Sequence, residues 1–232
     1  MPLTTDKSVY LTLDGREEFS KFLELMDNDG ADLFATTVTK NNYTAGGGPS
    51  SKNLKLLDNY NYTIYAPTNN SIQELIDKGL LPTWEDYEEQ TDSIWGTEEA
   101  AEEAKAIIKN IIVGFLRYHV QDHAILVNMA PENDKYENTL ETMKRNSETG
   151  KFYPLTVNNE DGQMWVMDVL GNKRNVVKTD GLYNRICREY WFKSAGTCYM
   201  ASDAVVHQID GVLLAEEMKP WKEILNKNVR RK

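Results

Sequence analysis

The most regular feature of the chain is an apolar stripe. Ala104, Ile107, Ile108, Ile111, Ile112 and Phe115 recur at spacings of three and four, the repeat that sets side chains on one face of an α-helix. Glutamates crowd the start of this run, where they suit the positive end of the helix dipole. A helix is therefore predicted from about Thr97 to the Tyr118-His119 pair. Two shorter helices precede it. Asp14, with Glu17 three residues on, is a variant capping box, and Phe19, Phe22, Leu23 and Met26 follow at helical spacing until Asn28-Asp29-Gly30 ends the run. Asn69 or Asn70 caps the second, with Ile72, Leu75 and Ile76 inward and Gly79 as the stop. Between them, Tyr62-Thr63-Ile64-Tyr65-Ala66 is a β-rich run that Pro67 ends, because proline lacks an amide hydrogen.

Beyond Val120 the period shortens. Strands are predicted at 124–127, 139–143, 153–158, 164–170, 175–178 and 205–214, separated by turn signals such as Asn159-Glu160-Asp161-Gly162 and Leu170-Gly171-Asn172. Helices fall mainly in the first half and strands in the second, without βαβ alternation. That predicts an α+β fold with a largely antiparallel sheet. No repeat and no Pro/Gly linker divides the chain, so one domain is expected over 14–217, with an N-terminal extension at 1–13 and a basic tail at 218–232.

Composition narrows the function. The 232 residues are 41% hydrophobic and 27% charged, an ordinary globular mixture that can bury a core without metal or disulfide. No apolar run approaches the ~20 residues that cross a bilayer, so no membrane span is expected. A net charge of −10 argues against nucleic acid, which needs a basic face. Nearly all of that charge lies between Glu74 and Lys105, where eleven acids stand against two lysines for a local −9. A solvated acidic face explains it, and no calcium loop can be read there. The N-terminus shows no basic-then-apolar signal pattern, and Gly46-Gly47-Gly48 lacks the following Lys-Ser/Thr of a phosphate-binding loop.

Candidate chemistry is sparse. His119 and His123 stand four apart, a spacing that can share a metal on a helix. Against this, Val120 is β-branched, the helix is predicted to end near Tyr118, and the glutamate of H-E-x-x-H is missing, so no metal is expected. No G-x-S-x-G elbow is present and neither cysteine sits in a nucleophile context. No catalytic residue and no cofactor are expected. Cys187 and Cys198 flank a Ser194-Ala195-Gly196 turn and could face each other across a hairpin. They would form a disulfide in an exported protein and remain thiols in a cytosolic one.

Three ordered segments resemble the fasciclin domain family. Thr63-Ile64-Tyr65-Ala66-Pro67-Thr68-Asn69 is similar to its first signature at a strand-to-helix junction. Val205-Val206-His207-Gln208-Ile209-Asp210-Gly211-Val212-Leu213 is similar to the second, and Tyr118-His119 matches the family's Tyr-His dipeptide at a helix end. The resemblance covers roughly 14–215. It implies a wedge of two β-sheets with a helical layer. It also implies a non-enzymatic adhesion or ligand-binding module, outside the cytoplasm at a cell surface or in a periplasm, with a protein or glycan as partner. The motif residues Ala66, Pro67, Thr68, Asn69, Tyr118, His119, Val206, His207, Ile209 and Asp210 read as mainly structural. His207, polar within an apolar run, should be buried and hydrogen-bonded, and Asp210-Gly211 should reverse the chain. The Asp-Ile pair through which some animal members bind integrins is replaced here by Cys198 and Tyr199, so that activity is not carried over.

The chain exceeds a minimal fasciclin domain in the Gly-rich loop and at 81–97, 131–138 and 180–201. The last brings together Arg185, Arg188, Tyr190, Trp191 and Tyr199, residue types enriched at binding hot spots, and is the candidate interaction surface. Trp84, Trp95, Trp165, Trp191 and Trp221 offer an alternative: aromatic platforms of a carbohydrate-binding accessory protein in glycan uptake. The competing reading buries Trp165 and Trp191 in the core and uses Trp84 and Trp221 to staple helices.

Overall fold

The computed structural model describes 3–4, 7–36, 52–54, 61–127, 136–160, 162–177, 184–194 and 197–229, with the backbone alone over 188–194 and 197–203. The Gly-rich loop, most of 131–138 and Ala195-Gly196 lie outside these residues. The helices are α1 (Val9–Leu13), α2 (Ser20–Met26), α3 (Asn69–Asp77), α4 (Trp84–Glu88), α5 (Asp92–Trp95), α6 (Glu98–Tyr118) and α7 (Trp221–Asn228). The strands are β1 (Leu3–Thr4), β2 (Phe34–Thr36), β3 (Lys52–Leu54), β4 (Tyr62–Pro67), β5 (Val120–Asp122), β6 (Tyr136–Arg145), β7 (Phe152–Glu160), β8 (Gln163–Met167), β9 (Lys173–Asn175), β10 (Arg185–Ser194) and β11 (Thr197–Ile209). The fold is mixed α+β.

Local chemistry sets most boundaries. The Thr97 hydroxyl accepts from the Ala100 amide at 3.2 Å and starts α6, whose Ala104, Ile108, Ile112 and Phe115 are buried as the stripe predicts. Gly79, at φ +65°, lets the chain turn after α3. Two expected caps are placed differently. Asp14 closes the C-terminus of α1, a helix that Ser8 starts by accepting from Leu11, while Thr68 occupies the N-cap position of α3. The acidic 81–97 stretch is two short helices, the first opened by a capping box between Thr83 and Asp86.

Nine strands form one sheet in the order β1-β10-β11-β4-β5-β6-β7-β8-β9, and β2 and β3 form a separate pair. β1–β10 and β11–β4 are parallel and the other neighbours antiparallel. The expected pair of sheets is thus one continuous sheet, with a thin joint at β5–β6 where Gln121 and Thr142 are the single register pair. The sheet also curls back on itself. Val176 bridges Ile209, the Val177 amide donates to Gln208 O at 2.9 Å, and the Asp210 amide donates to Asn175 O at 3.2 Å. The chain after β9 therefore closes against β11.

Closure creates two cores. Tyr65, Leu155, Val157, Met164, Val166 and Ile209 fill the inside of the curl, while Ile64, Ala66, Val120 and Val206 face the helices. β4 is buried along its whole length because it is covered on both faces, which is why it reads as a continuous apolar run. The expected terminal extension and tail belong to this packing. Val9 and Leu13 are fully buried, and Trp221, Leu225 and Val229 nearly so. Apolar residues every three or four positions in 221–229 make an amphipathic helix that packs on α6 despite its basic character.

One close approach fixes the turn after α2. The Trp84 indole lies over Gly30 so tightly that a Cβ there would meet the ring at 2.5 Å, and its Nε1 donates to Leu25 O at 3.0 Å. Gly30→Ala should displace the indole and cost about 1–3 kcal/mol, as overpacking does. Denaturant unfolding is the check, and an unchanged midpoint would show that the ring slides aside freely.

Candidate functional site

The motif segments meet where the sheet closes. β4 and β11 run parallel, pairing Tyr65 with His207, Ala66 with Gln208 and Pro67 with Ile209, so the two signatures are neighbours in space. Ala66 and Val206 face the helical core and Ile209 faces inside the curl. Thr68 places its hydroxyl 3.4 Å from that of Ser71. Asn69 does not cap its own helix. Its Oδ1 accepts from the Lys21 amide at 2.9 Å, and its Nδ2 donates to Glu17 O and Ser20 Oγ, so it caps α2 across space.

His207 is fully buried, stacked on Tyr65 with ring centroids 6.2 Å apart. Its Nε2–H donates to Ile125 O at 2.7 Å and Nδ1 has no hydrogen-bond partner. Burial lowers its pKa to about 4. The carbonyl it meets belongs to the segment expected as a strand at 124–127. That segment is irregular, and side chains rather than a ladder satisfy its backbone. Thr63 Oγ1 accepts from the Ile125 amide, Asn159 donates to Leu126 O, and Asn184 bonds both the amide and the carbonyl of Val127.

Tyr118 and His119 end α6 from opposite sides. The Tyr118 hydroxyl donates to Pro154 O at 3.0 Å and accepts from the Val169 amide at 3.1 Å, and burial raises its pKa. The His119 ring is fully buried between Phe22 and Phe115. Nδ1–H donates to Phe115 O at 2.9 Å and Nε2 accepts from the Leu213 amide at 3.1 Å, with burial again lowering the pKa to about 4. Both nitrogens are engaged, so His119 cannot share a metal with His123, which is exposed at φ +72° beyond the helix end.

Two residues without a sequence signal complete the arrangement. The ladder of β11 ends at Ile209, short of the expected 214, yet the chain continues through the interior. Arg174 Nε donates to Val212 O at 2.8 Å, His119 holds the Leu213 amide, and Asp168 Oδ2 accepts from the Leu214 amide at 3.0 Å. Asp168 also accepts from the Leu170 and Asn172 amides and from Asn172 Nδ2. That geometry ends β8 at Met167 instead of 170. Asp210 accepts from the amide and side chain of Asn175 at 2.9 and 2.8 Å. Between them, a Cβ on Gly211 would come within 2.7 Å of Arg174 Nε.

No family model matches the chain, and no curated protein matches it in sequence. Among solved structures, a FAS1 domain pair from the insect cell adhesion molecule Fasciclin I is similar over 90% of this chain and 51% of that one. The identity is 13% and the TM-score 0.40. This chain spans about half the length of the protein it matches.

The remaining expected sites separate. Arg185 is half-buried at the start of β10, opposite Val206, while the side chains of Arg188, Tyr190, Trp191 and Tyr199 lie outside the described residues. The hairpin exists, but Cys187 pairs with Ala204 and Cys198 with Phe192. Six positions along β11 separate Cys198 from Ala204, roughly 20 Å at strand rise, far beyond disulfide reach. Cys187 is a buried thiol with Sγ 3.2 Å from Thr12 Oγ1, so of the two alternatives the strand register favours thiols. Trp84, Trp95 and Trp221 are buried, and Trp95 Nε1 donates to Gln90, so these three cannot form a sugar platform.

His207→Ala should lower stability by about 1–3 kcal/mol, because it leaves the buried Ile125 carbonyl without its donor. Thermal unfolding decides this, and an unchanged transition would remove His207 from the structural account.

Proposed function

We propose that the chain is a non-enzymatic binding module of fasciclin type, acting in adhesion or ligand recognition outside the cytoplasm. The supporting observation is the commitment of the motif residues. His119, His207 and Asp210, the groups a reaction would call upon, are each held by partners that close the sheet. A scaffold held together this way leaves recognition to what projects from it.

The projecting element is the β10–β11 hairpin. β4 reaches β11 only over 204–209, and β1 reaches β10 only at Arg185 and Ile186. Beyond those points the two strands pair with each other for about 20 Å, carrying Arg188, Tyr190, Trp191 and Tyr199. α1 and β3 lie against β10, and the arginine and aromatic residues carried toward the tip suit a contact surface for a protein or glycan. The burial of three tryptophans weakens the alternative of a dedicated carbohydrate-binding accessory.

Replacing 188–197 by a short Gly-Ser turn tests this. Against arrays of purified matrix proteins and glycans, the intact chain should show saturable binding. The shortened chain should keep its far-ultraviolet dichroism and lose at least tenfold in affinity, roughly 1.4 kcal/mol. Undiminished binding by the shortened chain would place the interface elsewhere.

A further inference from the structure

The segment after β11 differs from the rest of the interior in how it is held. Residues 212–214 are tied by three side chains from three places: Arg174 on β9, His119 at the end of α6, and Asp168 in the β8–β9 turn. The central tie depends on protonation. With Nδ1–H given to Phe115 O, Nε2 must present a lone pair to the Leu213 amide, so only the neutral ring completes both bonds. A proton on Nε2 would set one donor against another in a fully buried site.

We propose that His119 is an acid-sensitive latch whose protonation releases 213–215 while β4 and its neighbours stay paired. The groups around the ring favour this response. Phe22 of α2 and Phe115 of α6 present aromatic faces, and the 213–214 backbone brings no charge. Asp168 and Arg174 are the charged neighbours, and their effects on an imidazolium oppose one another. Burial is the largest influence and holds the pKa near 4.

Release would reshape a cleft. The 213–219 segment forms one wall of a cavity of about 460 Å³, whose other walls come from α6, α7, Leu80 and Lys144 of β6, the last also paired with Glu216 of the segment at 2.7 Å. Ile107, Ile111 and Phe115 line it from one side, Leu214 and Met218 from the segment, and Ile224 from α7. Freeing the wall widens the cleft and exposes this lining in acid.

The direction follows from linkage. The closed state holds neutral His119 with its pKa near 4, whereas the released ring takes up a proton at the ordinary 6.5. Opening is therefore favoured progressively as pH falls below 6.5 and levels off near 4. Between pH 6.5 and 4.5 these two values give about a 40-fold rise in the opening constant.

Amide hydrogen exchange of the intact chain reads it directly. The Leu213 amide, bonded to His119, is compared with the Tyr65 amide, bonded to the backbone oxygen of the same residue at 2.9 Å. After correction for intrinsic exchange, Leu213 should lose protection by about 40-fold over that range while remaining less protected than Tyr65, which exchanges only when the pairing of β4 with its neighbours itself opens. Binding of an anilinonaphthalene sulfonate dye should rise with far-ultraviolet dichroism unaltered. Constant protection at Leu213 overturns the latch, and so does equal protection of the two amides, which would mean that both exchange only by global unfolding. His119→Gln, which keeps an acceptor but cannot take the proton, should abolish the pH dependence at Leu213. If that variant does not fold, the wild-type comparison still decides.

Discussion

A chain that leaves a β-ladder but stays in the interior must find partners for its backbone groups, and the three bonds that residues 212–214 make among the described residues all go to side chains. Val212 O, Leu213 N and Leu214 N are taken in turn by Arg174, His119 and Asp168. An unmet group of this kind costs about 1–3 kcal/mol, a large part of a domain's net stability. These bonds fasten the end of β11 to the last strand of the curl and to the end of the long helix. The curl, its inner core and the packing of α6 all depend on that junction.

This constraint accounts for the partners that His119, Asp210 and Gly211 have in the fold. His119 supplies a donor and an acceptor in opposite directions from one rigid ring. Asp210 and Asn175 fasten the neighbouring backbone with a two-point contact. Gly211 is required because the Arg174 side chain crosses where a Cβ would stand. Around residues 210–214, His119, Asp168, Arg174, Asn175 and Asp210 each bond backbone or side chain across the closure of the sheet.

Signals contained within one element were legible, and those that depend on distant partners were not. The stripe from Ala104 to Phe115, the Thr97 start and the Gly79 stop are local, and the structure places them as the pattern implies. The burial of His207 was legible because a polar residue in an apolar run must find a partner, whereas Tyr118-His119 was read only through the family resemblance. The partners were hidden. Asp168 fell inside the strand expected at 164–170, and nothing local shows that it ends that strand early and also holds the Leu214 amide. Asn69 looked like a cap for the helix it begins, yet it caps α2, 48 residues away. The 124–127 run had strand composition without a ladder to join, and 1–13 held a five-residue helix too short for a periodic signal. Whether Cys187 and Cys198 face each other depends on the hairpin register, which sequence spacing does not fix.

The central claim is that 212–214 is held as one interlocked unit. A double-mutant cycle on Asp168→Ala and Arg174→Ala, read by denaturant unfolding, tests it most directly. The two side chains grip backbone groups two residues apart, so loosening one should weaken the hold of the other. A coupling energy of about 0.5–3 kcal/mol is predicted, with the double variant less destabilised than the sum of the singles. Additivity within about 0.3 kcal/mol would show that the two ties act independently, and would contradict a cooperative closure.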